Sequence, residues 1–152
     1  MRVLLGVALG LPVLLGACDK HEFEPPSRAA QVAQADSLYA PAWFDTIAWP
    51  TDSARTFEGN NVFAAYCRKC HGPEGEGGST PYAQARGLDV PSLVLPEWQP
   101  GDDVEAVRRA IFVGHAAGMP TWGVAGITPR EIDAVAHYIV DDLRPEKLGT
   151  TR

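Results

Sequence analysis

Three residue types are scarce in this 152-residue chain: three cysteines, two methionines and four histidines. Two of the cysteines and one histidine stand together as Cys67-Arg68-Lys69-Cys70-His71. Thiols at i and i+3 lie one helical turn apart and project to the same side. That spacing suits addition of both thiols to the two vinyl groups on one edge of a porphyrin, and C-x-x-C-H is the pattern of covalent haem attachment. His71, the next residue, is then placed under the iron as an axial ligand. Competing chemistries fit these residues less well. A zinc site needs four ligands, and no cysteine follows Cys70 to supply one. A thioredoxin-like dithiol needs a βαβ setting, of which the sequence shows no sign.

The second axial ligand follows by elimination. The methionines are Met1 and Met119. Met1 belongs to a leader expected to be removed, which leaves Met119 as the thioether of the mature chain. It sits in Gly114-His115-Ala116-Ala117-Gly118-Met119-Pro120-Thr121-Trp122. Gly118 and Pro120 favour an extended loop able to lay a side chain across the far haem face. Methionine opposite histidine raises the reduction potential relative to two histidines. His115 competes for the iron in principle and is read as an exposed loop residue. His137 is read as solvent-facing on the last helix, and His21 lies in a tether. Gly72–Gly78 is glycine-rich but lacks the lysine and preceding strand of a phosphate loop.

Three helices must position these groups. The first is expected over about Ser53–Tyr66, carrying Phe57, Val62, Phe63 and Tyr66. The second is expected over about Asp103–Val113, with Asp102 as N-cap and Val104, Val107 and Ile111 at helical spacing. The third has the clearest start signal, because Thr128 can cap, Pro129 takes the first helical position and Glu131 completes a capping box. Ile132, Val135, Ala136, Ile139 and Leu143 form its buried stripe. Little reads as strand, so the expected fold is all-α. A domain over residues 53–147, followed by a 148–152 tail, has a small core for its length. Such domains need a disulfide, a metal or a cofactor to fill the middle.

Residues 1–17 read as a secretory signal: Arg2, an apolar run from Val3 to Ala17, then Cys18. The run is about 22 Å as a helix, short of a bilayer core of roughly 30 Å. Residues 18–52 read as a tether broken by Pro25, Pro26, Pro41 and Pro50, with a short helix over Ser27–Tyr39 that Ser27 can cap. Within it Trp43, Phe44, Ile47 and Trp49 are too apolar for plain linker. They are expected to fold back on the first or last helix, or to dock on a membrane complex. The formal net charge of −6 argues against a nucleic-acid partner.

Two resemblances add to this reading. Leu15-Gly16-Ala17-Cys18 resembles the lipobox of bacterial lipoproteins, which implies a lipid anchor on Cys18. With Asp19 following, it also implies retention at the periplasmic or outer face of the cytoplasmic membrane. Residues 57–143 resemble a small class I cytochrome c. The likeness rests on Gly59-x-x-x-Phe63-x-x-Tyr66-Cys67-x-x-Cys70-His71-Gly72-Pro73, on Ile111-x-x-Gly114-x-x-x-Gly118-Met119-Pro120-x-Trp122, and on Val135-x-x-Tyr138. It implies crossing first and last helices with Gly59 close to Tyr138. It also implies that a carbonyl at Pro81, Thr80 or Ser79 accepts the His71 ring N–H, and that Trp122 lies beside a haem propionate. The resulting expectation is a lipid-anchored protein with one haem c, exchanging single electrons with redox partners and turning over no small-molecule substrate. Three roles stand: a carrier, a fixed subunit of a membrane oxidoreductase complex docked through residues 41–50, and a peroxidase or gas sensor with an open sixth position. Met119 and the lack of a second haem motif argue against the last.

Overall fold

The computed structural model describes residues 24–149 apart from Ser79. The leader, Cys18, Asp19 and His21 therefore lie outside the described residues. Helix α1 spans Arg28–Leu38, α2 Asp52–Val62, α3 Arg68–His71, α4 Pro81–Gln84, α5 Val104–Val113, α6 Trp122–Ala125, α7 Pro129–His137 and α8 Arg144–Leu148. Among the described residues there is no strand, only an isolated bridge between His115 and Met119.

Capping side chains set most helix starts. Ser27 accepts from the Ala30 N–H at α1, and Thr51 accepts from the Ala54 N–H at α2. Thr128 and Glu131 form the reciprocal capping box at α7, with Pro129 in the first turn. At α5 the cap is Asp103, which accepts from Glu105 and Ala106 N–H, and not the expected Asp102. Asp103 directly precedes the first helical residue, while the Asp102 carboxylate is held by Arg144 Nε at 2.8 Å.

Two π-helical turns interrupt the α-helical course. Residues Phe63–Cys67 join α2 to α3, and Arg68 N–H bonds the carbonyl of Phe63, five residues back. Residues Tyr138–Leu143 join α7 to α8, and Arg144 N–H likewise bonds Ile139. Thus the first helix runs on past Tyr66 to His71, further than its apolar spacing indicates.

The core forms where α2 crosses α7. Val62, Phe63, Val107, Ile111, Ile132, Val135, Ile139 and Leu143 are buried in one cluster. Gly59 makes the crossing possible: a Cβ there would lie 2.3 Å from the Ala134 carbonyl oxygen and 2.5 Å from Tyr138 Cβ. The Phe63 and Tyr138 rings meet just beyond, with centroids 5.7 Å apart. Phe57, grouped with the first helix's apolar residues, is instead 68% exposed. Five residues at about 100° each turn it well away from Val62.

The aromatic stretch before α2 covers this chain's own domain. Phe44 is buried in the core cluster, and the Trp43 and Tyr39 rings sit 5.4 and 5.5 Å from Phe112 of α5. Trp49 Nε1 donates to Asp133 of α7 at 2.6 Å, beneath the Arg130 guanidinium. Asp133 also pairs with Arg108 of α5. His137 lies half-buried in the same network, its Nδ1 2.7 Å from Asp141, and is not the simple solvent-side residue expected. Burial of the Asp133 carboxylate draws these donors together, since an unpaired buried charge is costly.

Candidate haem site

The π turn delivers Cys67 into the core, 8% exposed, with Cys70 and His71 half-buried on the next turn. Both cysteines are free thiols. Burial pushes the Cys67 thiol up to about 12, with Cys70 adding a smaller push. Among the described residues no group of three or more His, Cys, Asp or Glu side chains is arranged to hold a metal ion.

His71 Nδ1 lies 3.3 Å from the carbonyl oxygen of Pro91. A carbonyl only accepts, so Nδ1 carries the ring proton and Nε2 keeps its lone pair. Burial lowers the imidazole below its ordinary value, and the Pro91 contact opposes that more weakly. The neutral form is thus favoured.

Pro91 replaces the acceptor expected near Pro81. The reason is local: Pro81 opens α4, where its carbonyl accepts from Ala85 N–H, and the Thr80 carbonyl accepts from Gln84 N–H. Both carbonyls accept within the helix, and Ser79 lies outside the described residues. The glycine loop after His71 folds onto the Pro91 segment instead. Gly77 N–H bonds the His71 carbonyl, and Gly78 N–H bonds that of Val90, each at 2.8 Å. At Gly77, φ is +72° and a Cβ would lie 2.6 Å from the Pro91 carbonyl carbon, so a side chain there would push the acceptor away.

The methionine loop is pinned at its base. His115 N–H bonds the Met119 carbonyl, and Gly118 N–H bonds the His115 carbonyl, each at 3.0 Å. Gly114 and Gly118 both have positive φ, and a Cβ on Gly118 would lie 2.6 Å from Leu88. Met119 is partly buried against the core cluster. His115 is exposed, and its Nδ1 accepts from Ala117 N–H at 3.2 Å. Trp122 links this loop to the other arm of the site, its ring edge-on to Tyr66 at 5.4 Å.

The donor set fits a haem: two unpaired thiols, an imidazole with its tautomer fixed and Nε2 free, and a thioether on a braced loop. An all-helical fold carrying that set defines a c-type cytochrome, a haem protein of electron transport. Residues 54–139 match the family described as cytochrome c oxidase, cbb3-type, subunit III, and the chain belongs to that family. Similar proteins include the cbb3-type cytochrome c oxidase subunit CcoP of Rhodobacter capsulatus, 31% identical over 118 residues, covering 68% of this chain and 37% of that protein. The CcoP subunit of Cereibacter sphaeroides is 32% identical over 88 residues, covering 58% and 28%. The FixP subunit of Azorhizobium caulinodans is 30% identical over 90 residues, covering 59% and 28%. The chain thus spans between 28% and 37% of the length of these relatives. No solved structure matches it significantly. Among the described residues no helix is long and apolar enough to cross a membrane.

Proposed function

We propose that this chain is a cytochrome subunit of a membrane oxidoreductase complex, relaying single electrons through one haem c. Similarity to oxidase subunits favours that role over a freely diffusing carrier. In this reading Cys67 and Cys70 would hold the haem by thioether links, and His71 and Met119 would hold its iron. When bound, the haem supplies the one-electron couple between ferric and ferrous iron.

The chain's own residues then do the rest. Pro91 orients His71 and keeps the proton on Nδ1. Gly114 and Gly118 shape the loop that presents Met119. The core cluster packs against Met119. Held by both His71 and Met119, the iron would offer no site to a small-molecule substrate, and the chain would act as a carrier within the complex with no catalytic residue of its own. Trp122 would offer its indole N–H to a haem propionate. Cys18 carries the lipid anchor, placing the haem domain on the periplasmic or outer face of the cytoplasmic membrane. Redox proteins and the lipid surface are its partners.

The observation that carries the site is the fixed tautomer of His71 at the end of a helix bearing two unpaired thiols. Purification from native membrane in mild detergent tests the subunit role: co-purification with other oxidase subunits is expected, and isolation of the cytochrome alone refutes it. Carbon monoxide tests the ligands. The wild-type ferrous protein and His115→Ala should not bind it, and Met119→Ala should. Binding by His115→Ala alone would reverse the assignment.

A further inference from the structure

Helix α8 begins with a buried cation. Arg144 is 2% exposed. Its Nη1 donates to the carbonyl of Leu93 and, at 3.2 Å, to that of Leu95. Its Nε donates to Asp102 at 2.8 Å, and its guanidinium lies 5.1 Å from the Trp98 ring centroid. A buried guanidinium is costly unless its donors are matched, and here they are spent on backbone carbonyls of a segment that lacks regular structure.

That segment opens with Pro91, the acceptor for His71. Leu93 N–H also bonds the Gly75 carbonyl at 2.8 Å, which ties the segment to the loop leaving His71. The connection is therefore continuous: Arg144 to the Leu93 and Leu95 carbonyls, two residues along the chain to Pro91, and from its carbonyl to His71 Nδ1. The π turn ending at Leu143 sets the direction from which Arg144 enters.

We propose that Arg144 is a positioning residue for the axial histidine. By holding Leu93 and Leu95 it fixes the Pro91 carbonyl against His71 Nδ1–H, and so sets the basicity of Nε2 toward iron. The inference rests on His71 being an axial ligand. The sign follows from the hydrogen bond. A firm Nδ1–H···O contact makes the imidazole a stronger donor, which favours ferric iron and lowers the potential. Loosening the segment weakens that donor and raises the potential.

The test uses the full-length holoprotein. Arg144→Met removes the donors while keeping an apolar stem. It should shift the ferric-to-ferrous ratio at a fixed ambient potential by about tenfold toward ferrous, a rise of about 59 mV for one electron. The His71 Nδ1–H resonance of the ferrous protein should exchange faster. Arg144→Lys, which keeps a cation able to reach a carbonyl, should recover most of the shift. Trp49→Phe, remote from this segment, serves as the stability control and should leave the potential unchanged. If Arg144→Met does not fold, Asp102→Ala removes the exposed acceptor of Arg144 Nε and should raise the potential in the same direction by a smaller factor. An unmoved potential in whichever of these variants folds overturns the proposal, as does an equal rise in Trp49→Phe. His71→Ala separates this claim from its parent. An unchanged axial-ligand spectrum there refutes ligation, whereas a changed one beside an unmoved Arg144→Met refutes only the role of Arg144.

Discussion

Gly59→Ala reports directly on the helix crossing that carries the haem site. A Cβ at this position would lie 2.3 Å from the Ala134 carbonyl oxygen, 2.9 Å from its carbon and 2.5 Å from Tyr138 Cβ. Two of the three obstacles are backbone atoms of α7, so no side-chain rotation relieves them. The helices must separate by roughly 1 Å, which puts the cost at the upper end of overpacking, about 3 kcal/mol. Alanine recovers about 1 kcal/mol of helix propensity over glycine. The net expectation is a loss of about 2 kcal/mol, equivalent to about 8 °C or more in melting temperature for a domain of this size. Denaturant unfolding of the oxidised holoprotein, with wild type and variant compared at equal slope, measures it. A variant that unfolds at the same or a higher midpoint would mean propensity dominates and the close crossing is absent, which refutes the packing described here.

Two more expectations concern the N-terminal segment. Trp49→Phe leaves the buried Asp133 short of a donor and should cost about 1–3 kcal/mol in the same assay, while changing Trp43, Phe44 and Trp49 together to Ser should cost more. Unchanged melting of the triple variant would show that the segment does not rest on α5 and α7. The Tyr39 hydroxyl is held above its ordinary value, mainly by burial and then by its bond to Glu105. Between about pH 10 and its raised folded value the unfolded chain gives up a proton that the folded chain keeps, so stability falls as pH rises past about 10. Tyr39→Phe should flatten that alkaline loss, and equal slopes in the two proteins would exclude Tyr39 as its source.

What could be read in advance depended on whether a feature has a side-chain signature. The start of α7 was legible because Thr128, Pro129 and Glu131 each leave a local mark. The approach of Gly59 to Tyr138 was legible through resemblance, and the structure bears it out. The acceptor for His71 was not, because a backbone carbonyl carries no residue identity and any proline nearby competes for the assignment. Pro81 lost that competition because α4 uses its carbonyl. Arg144 was passed over because a lone arginine near a chain end is ordinarily exposed. The continuation of the first helix to His71 was hidden by the π turn, where the apolar spacing departs from 3.6 and no longer signals one helix. Asp102 and Asp103 are chemically equal caps in sequence, and only the pull of Arg144 on one of them distinguishes the two.

The two π turns are where these helices can take up a change of length. Each closes a bond five residues back where an α turn closes four, so each holds a one-residue surplus. One surplus lies just ahead of Arg68 and the other just ahead of Arg144, on the two helices that cross. Removing that extra residue would return the turn to α geometry and leave everything beyond it in its place, because the bulge absorbs the surplus locally. A one-residue insertion or deletion in the regular α turns on either side has no such bulge to absorb it and would rotate all that follows by about 100°. The two crossing helices are aimed by their α turns, and 63–67 and 138–143 are the slack links in which a change of length can be taken up.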